Sequence, residues 1–336
     1  MKSLTRLFAL FLVAILCSTF LSACADTPVP PVSDNTTDAA VTDAPAEETP
    51  VSDFEYEESE GGITITGYKG SSADVVIPAN ISGKPVTSIG NSAFFGKSVQ
   101  AVTLPKTVTV IEKDAFSGCD KLSAVVLPDG IETISDRAFA DCIALDNVEL
   151  PASLKFIGVR AFYNCSSLKN ITLPGTAVSI KSGEAFACSG LESVVIGNGT
   201  KILPSGIFYK TNLKEVVLPE SVEEISTAAF SECKYLETVT LNDGLITIDD
   251  YAFNKSLIKE LVIPKSVKTV TAWAFIECDK LKTITFLGDS PKDFITDDFR
   301  NNMGIDTVKY SVYHTDSAVG FQDEQWTGVN VKLIER

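Results

Sequence analysis

The chain has 336 residues, 45% apolar and 21% charged, which is enough apolar material for a continuous core and too much for a disordered segment. Its 44 acidic residues against 28 basic ones give a net charge of −16, and the repeats described below carry no basic face, which excludes a nucleic-acid surface. A single histidine, His314, leaves little material for a Ser-His-Asp or Cys-His catalytic set.

In chain order, Lys2 and Arg6 precede an apolar run from Leu7 to Phe20, too short for a comfortable membrane span, and Leu21-Ser22-Ala23-Cys24 follows. This start resembles a bacterial lipoprotein signal. The resemblance implies removal of residues 1–23, a diacylglycerol on the Cys24 thiol, and export with tethering to the cell membrane or cell surface. An ordinary secretory signal with a chance cysteine is the other reading of the same residues. Residues 24–60 carry Pro28, Pro30, Pro31, Pro45 and Pro50 and eleven acidic residues, without one Lys or Arg. Such a stretch is expected as an extended linker that holds the rest away from an anionic envelope.

From there on a period governs the chain. Phe94, Phe116, Phe139, Phe162, Phe186, Phe208, Phe230, Phe253 and Phe275 follow at steps of 22, 23, 23, 24, 22, 22, 23 and 22 residues. The apolar set Cys119, Leu122, Val125, Leu127, Pro128, Ile131, Ile134, Ala138 and Phe139 returns as Cys142, Leu145, Val148, Leu150, Pro151, Leu154, Ile157, Ala161 and Phe162. About 23 residues cannot enclose a core, whereas stacked coils share one. The alternation Leu122-x-x-Val125-x-Leu127, ended by Pro128, predicts a short parallel strand; Ile131-x-x-Ile134 predicts a second strand or turn; and Asp136 to Ala140 predicts a short helical turn around Phe139. The expectation is a right-handed solenoid of about ten coils over 61–296, N-terminal cap included, closed by a C-terminal cap over 297–336. At the spacing of neighbouring strands, about 4.8 Å, ten coils extend roughly 50 Å.

The unit Cys-x-x-Leu-x-x-Val-x-Leu-Pro-x-x-Ile-x-x-Ile-x-x-x-Ala-Phe, seen at Cys119 to Phe139 and at Cys142 to Phe162, resembles the leucine-rich repeat of BspA-like bacterial surface proteins. Ile63 to Tyr68, Val75 to Pro78 and Lys84 to Gly90 look like that family's atypical first coil, and Val312 to Gly328 is similar to its closing segment. The resemblance implies a curved parallel solenoid, secretion or lipid anchoring, and adhesion through binding of host or bacterial surface proteins. It implies neither catalysis nor a particular ligand.

Other chemistry finds little support. Cys119, Cys142, Cys165, Cys188, Cys233 and Cys278 lie in the repeats, and an exported protein with this many invites disulfides. Cys233 has no cysteine in either adjacent coil, however, and coils two steps apart are about 10 Å away, beyond the roughly 7 Å limit for a bridge. Cys119, Cys142, Cys165 and Cys188 lie on successive coils, where in-register side chains point the same way and a bridge is strained; buried thiols are the expectation. A zinc site would need four converging ligands, and no cofactor or metal is expected. His314 reads as a surface or capping residue, and no particular carboxylate pair stands out for glycosidase chemistry. The expectation is a protein that is not an enzyme.

Partner-binding candidates are the residues set between two inward strand positions: Thr103, Val126, Glu149, Thr172, Val195, Val217, Thr240, Val262 and Thr285. Either strand propensity or a laterally extended binding face accounts for their Val and Thr content. Lys169, Lys214, Lys259 and Lys282 beside Glu149, Glu192, Glu215, Glu237 and Glu260 suit a protein partner better than a polyanion. Tyr251 and Trp273, at equivalent positions on adjacent coils, are a second candidate patch for a protein loop or a glycan; a local covering of the array's end is the other reading of the pair. The readings are therefore an adhesive binding module, a carbohydrate-binding envelope module, or a passive envelope scaffold.

Overall fold

The computed structural model describes residues 47–175, 179–180, 183–271, 273–291, 311–315, 317–321 and 330–333. The expected leader, Cys24 and much of the linker lie outside the described residues, as do most of 297–336 and Trp326.

One compact unit begins at Glu47. The expected boundary at Gly61 falls inside a hairpin in which Phe54–Ser59 pairs antiparallel with Gly62–Tyr68. Phe54 is buried and its ring lies 5.5 Å from that of Tyr68, while Glu55, Glu57 and Glu58 stay exposed on the outermost strand. Charge on an edge strand discourages addition of a further chain. The acidic composition that reads as linker therefore belongs, from Glu47 onward, to an N-terminal cap. Thr49 completes it: its amide donates to the Val76 carbonyl and its hydroxyl accepts from the Val76 amide, each at 2.9 Å.

The coils stack in register through two parallel ladders. The front ladder joins Asp74–Val76, Ala101–Thr103 and Ala124–Val126; Asn170–Thr172 and Ser193–Val195; Glu215–Val217 and Thr238–Thr240; and Glu260–Ile263, Thr283–Phe286, Ser311–His314 and Asn330–Leu333. The rear ladder runs through two-residue strands such as Val110–Ile111, Thr133–Ile134 and Phe156–Ile157. Front pairing is interrupted at the 22-residue steps from Val195 to Val217 and from Thr240 to Val262, and on either side of the coil of Glu149. The coil of Asn147 and Glu149, two residues of low strand propensity, makes only an isolated bridge, from Asn147 to Ala124.

Between the ladders the phenylalanines form one column. From Tyr68 through Phe94 to Phe275, each ring stacks on the next with centroids 4.9–5.9 Å apart, and the phenylalanines of this column are at most 1% exposed. Burying one such side chain is worth about 1.5–3 kcal/mol, so this column outweighs any surface interaction in the molecule.

The corner around each phenylalanine is a run of β-turns, not the short helical turn expected from sequence. Around Phe116, the Ala115, Ser117 and Cys119 amides donate three residues back, to the Glu112, Asp114 and Phe116 carbonyls. The intervening Asp114, Phe116 and Gly118 amides donate instead to Asp136, Ala138 and Ala140 of the next coil. A helix requires consecutive right-handed residues, but Asp114 (φ 55°) and Gly118 (φ 72°), two residues either side of Phe116, are left-handed. The pattern repeats at Arg137 and Asp141, and at Arg160 and Asn164. Gly, Asn and Asp at the second of these positions fit the left-handed region best. Among the described residues the one helical element is the 3-10 turn Val51–Asp53.

Phe162→Ala, in the middle of the column, is expected to destabilise by about 3–5 kcal/mol in urea unfolding, the usual loss for a buried phenylalanine. Deleting 297–336 removes the strand paired with Thr283–Phe286 and uncovers Ile284 and Phe286, which are at most 1% exposed. The truncated chain is expected to elute as aggregate in size exclusion; a monomeric, cooperatively melting product would contradict the assignment of this segment as a cap.

Candidate binding surface

On the front ladder, side chains alternate between core and solvent because the strand period is two. Val125, Ile171, Val216 and Leu261 point inward, and the residue after each points out. Thr103, Val126, Glu149, Thr172, Val195, Val217, Thr240 and Val262 are all exposed, and Thr285 is half-buried. The valines are 50–62% exposed, unusual for residues that gain by burial. Register places Thr103 beside Val126, Thr172 beside Val195, Val217 beside Thr240, and Val262 beside Thr285. The result is a column of short, branched side chains with one carboxylate, Glu149. A parallel column on the same face holds Ala124, Asn147, Asn170, Ser193, Glu215, Thr238 and Glu260, also exposed. Sequence reading named Glu215 and Glu260 as flanking charges but missed the column they belong to, and with it Tyr235, 57% exposed in the corner leading into Thr238–Thr240.

The charges at the margin of this face neutralise one another. Glu192 lies 2.6 Å from Lys214 and 3.6 Å from Lys169, and Lys259 lies 2.7 Å from Glu237. The hydrogen bond from Lys214 holds the Glu192 carboxyl below the usual range. The same alternation occurs elsewhere: Lys155 with Glu132 and Lys201 with Glu223 beside the rear ladder, and Lys210, Glu232, Lys255 and Glu277 at the corners. Another corner column pairs Arg137 with Asp114 and Arg160 with Glu184, each at 2.7 Å. Each exposed pair adds at most about 1 kcal/mol. Their cumulative effect is on register, because in-register stacking places equivalent residues side by side and a run of like charges would repel.

Tyr251 and Trp273 do meet, with ring centroids 5.4 Å apart, but the planes are tilted by 60° and both residues are half-buried. They do not form the exposed, coplanar platform that stacking on a sugar ring favours. Each follows the corner path set by its coil, and the position two before the phenylalanine is partly covered by the neighbouring coil.

The thiols form a polar seam inside the array. Cys119, Cys142, Cys165, Cys233 and Cys278 are free and at most 1% exposed. Each donates its S–H to a phenylalanine carbonyl of the preceding coil, Cys119 to Phe94 at 3.0 Å and Cys142 to Phe116 at 3.2 Å among them. All five stand in coils with six residues from phenylalanine to the next core aliphatic, as from Phe116 to Leu122. Coils with five residues, as from Phe208 to Leu213, put Lys97, Ser189, Thr211 or Ser256 at that place. Cys188 is therefore not in the thiol column: it stands one residue earlier, in a short corner, left-handed (φ 58°) and half-buried. Burial pushes the Cys119 thiol up to about 12 and those of Cys233 and Cys278 to about 11. Among the described residues no group of three His, Cys, Asp or Glu side chains could hold a metal ion.

His314 is not a surface residue. It is 7% exposed, its ring stacks on Phe321 at 4.7 Å, and its Nδ1 lies 2.9 Å from the Thr315 carbonyl, so it packs the C-terminal end of the front ladder.

Stacked coils carrying their chemistry in exposed side-chain columns define a solenoid repeat protein. The model of the BspA type leucine rich repeat region matches residues 87–211 and 201–316, with six copies, and the chain belongs to that family of repeat scaffolds. Among solved structures, a leucine-rich repeat protein from Bacteroides ovatus is similar at 27% identity, over 86% of this chain and 77% of that one, with a TM-score of 0.66. The leucine rich repeat protein of T. pallidum is 31% identical over 60% of this chain and 85% of its own, with a TM-score of 0.46. The pneumococcal vaccine antigen PcpA shares 23% identity over 83% and 95% of the two chains, with a TM-score of 0.41. No curated protein matches.

Only the thiolate reacts with alkylating agents, so the raised values predict inert thiols. Iodoacetamide at pH 8 is expected to leave Cys119, Cys142, Cys165, Cys233 and Cys278 unlabelled in the folded protein and to label all five in guanidinium, read by peptide mass spectrometry. Rapid labelling of any of them in the folded chain would contradict the buried seam.

Proposed function

We propose that the protein is an exported bacterial surface lipoprotein, anchored through Cys24, that binds a host or bacterial surface protein on its front ladder. Membership in a bacterial leucine-rich repeat family supports the general reading of a repeat-based binding scaffold. The observation that carries the choice of face is the exposed column through Val126, Val195, Val217 and Val262. Strand propensity explains why such residues occupy strands, but valine gains nothing by facing water. The flanking Lys and Glu side chains pair with each other while Glu149, Glu215 and Glu260 stay exposed on the face, so it suits an apolar partner surface with few acidic groups, and binding is driven mainly by apolar burial with modest salt dependence.

The test is binding of residues 47–336 to immobilised host matrix proteins, envelope fractions and a glycan array. Saturable capture by a protein, retained at high salt and reduced at least tenfold by Val195→Glu/Val217→Glu but not by Tyr251→Ala/Trp273→Ala, is the expected result. Loss only in the aromatic double variant, or binding to glycans alone, moves the site to the corner and favours the carbohydrate module. No saturable partner at all leaves a passive envelope scaffold.

A further inference from the structure

The turn after one front strand carries a further piece of chemistry. In most coils proline opens this turn, but Gly197 opens it in the coil of Val195, and the residues that follow are Asn198 and Gly199. Thr200 closes the turn by donating its amide to the Gly197 carbonyl at 3.3 Å. Asn198 is exposed, and Gly199 has φ 137°, which strains any residue with a side chain.

An asparagine followed by glycine is the dipeptide best suited to intramolecular deamidation, because no side chain shields the following amide. The Gly199 nitrogen attacks Cγ of Asn198, ammonia leaves, and the resulting succinimide takes up water to give aspartate or isoaspartate. Water is the only co-reactant, and no electron changes hands. In this chain the attacking nitrogen is held elsewhere. The Gly199 amide donates to Oγ of Ser221, one coil on, at 2.9 Å. The Ser221 hydroxyl spends its own proton on the Thr200 carbonyl, also at 2.9 Å, so towards Gly199 it acts as an acceptor. The two bonds engage the attacking amide in a contact with the next coil.

We propose that Asn198 is a spontaneous deamidation site and that the Ser221 hydroxyl of the next coil guards it. The product would place a new negative charge three residues beyond Val195, at the margin of the front face, and isoaspartate would add a backbone methylene to the turn. The equivalent positions of other coils already carry Asp129, Glu220 and Asp243, so aspartate itself is compatible with the fold. The proposal stands independently of what the front face binds.

The full chain, Ser221→Ala, Ser221→Thr and Asn198→Gln are aged at pH 8 and 37 °C, and the peptide spanning Asn198 is followed by mass spectrometry and isoaspartate detection. Thermal melting verifies that each variant is folded. In the folded state Ser221→Ala is expected to deamidate at Asn198 roughly 2- to 10-fold faster than the parent, the rate equivalent of one net hydrogen bond. Ser221→Thr keeps the hydroxyl and ages like the parent, Asn198→Gln shows no fast conversion at this site, and in guanidinium the parent and Ser221→Ala age alike and faster. Equal folded-state rates in the parent and Ser221→Ala, or a parent that ages as fast folded as unfolded, would overturn the guard. A folded Ser221→Ala that leaves Asn198 intact would overturn the site.

Discussion

In-register stacking of one coil on the next is the constraint from which the other features follow. Once a step of 22 to 24 residues is fixed, every residue has its equivalents from the two adjacent coils as neighbours, and the structure becomes a set of side-chain columns. A column tolerates only what can stand beside itself. Phenylalanine can, by offset stacking at about 5 Å, and it fills the centre. Charged residues cannot stand beside like charges without cost, so signs alternate along Lys169, Glu192 and Lys214 and along Lys210, Glu232, Lys255 and Glu277. A single exposed ion pair contributes little to stability, whereas the phenylalanine column contributes much. Stability therefore resides in the column, and the charges favour the register only where their signs alternate.

The same constraint explains the corners. A coil must turn around its phenylalanine while offering alternate amides to the next coil, which a helix cannot do because it consumes its amides internally. The left-handed residues two before and two after the phenylalanine are strained where they are not glycine, and the inter-coil hydrogen bonds compensate. A longer corner admits a buried cysteine whose S–H reaches the preceding coil's phenylalanine carbonyl; a shorter one does without. Corner length and cysteine thus vary together.

Much of this was legible in the chain because it repeats. The period of phenylalanine, the inward Leu and Ile positions and the outward set from Thr103 to Thr285 fall where sequence reading places them. What was not legible has definite physical causes. A run of β-turns and a helical turn both place Ala138 and Phe139 inward, so the apolar pattern alone does not separate them; Gly96, Gly118, Asp141 and Asn164, each two residues after a phenylalanine, were the available signal in the first four coils, and the later coils carry none. Glu55, Glu57 and Glu58 hid a cap strand because an outermost strand can be as acidic as a linker. Cys188 was counted with Cys165 because a one-residue shift in a short corner is invisible until the distance from phenylalanine to the next aliphatic is measured. Tyr251 and Trp273 were correctly placed side by side, but their tilt depends on the corner path, which the sequence pattern does not encode.

Native-state hydrogen exchange tests the stacking account most directly, because the Phe116, Phe139 and Phe162 amides all bond across coils, to Ala138, Ala161 and Ala185. The account predicts that these amides exchange together, as the slowest in the chain, with protection falling towards both ends as expected for a nearest-neighbour array. Independent exchange of the three, or protection no greater than in the Phe54–Ser59 hairpin strand, would show that the coils are not held by one continuous column.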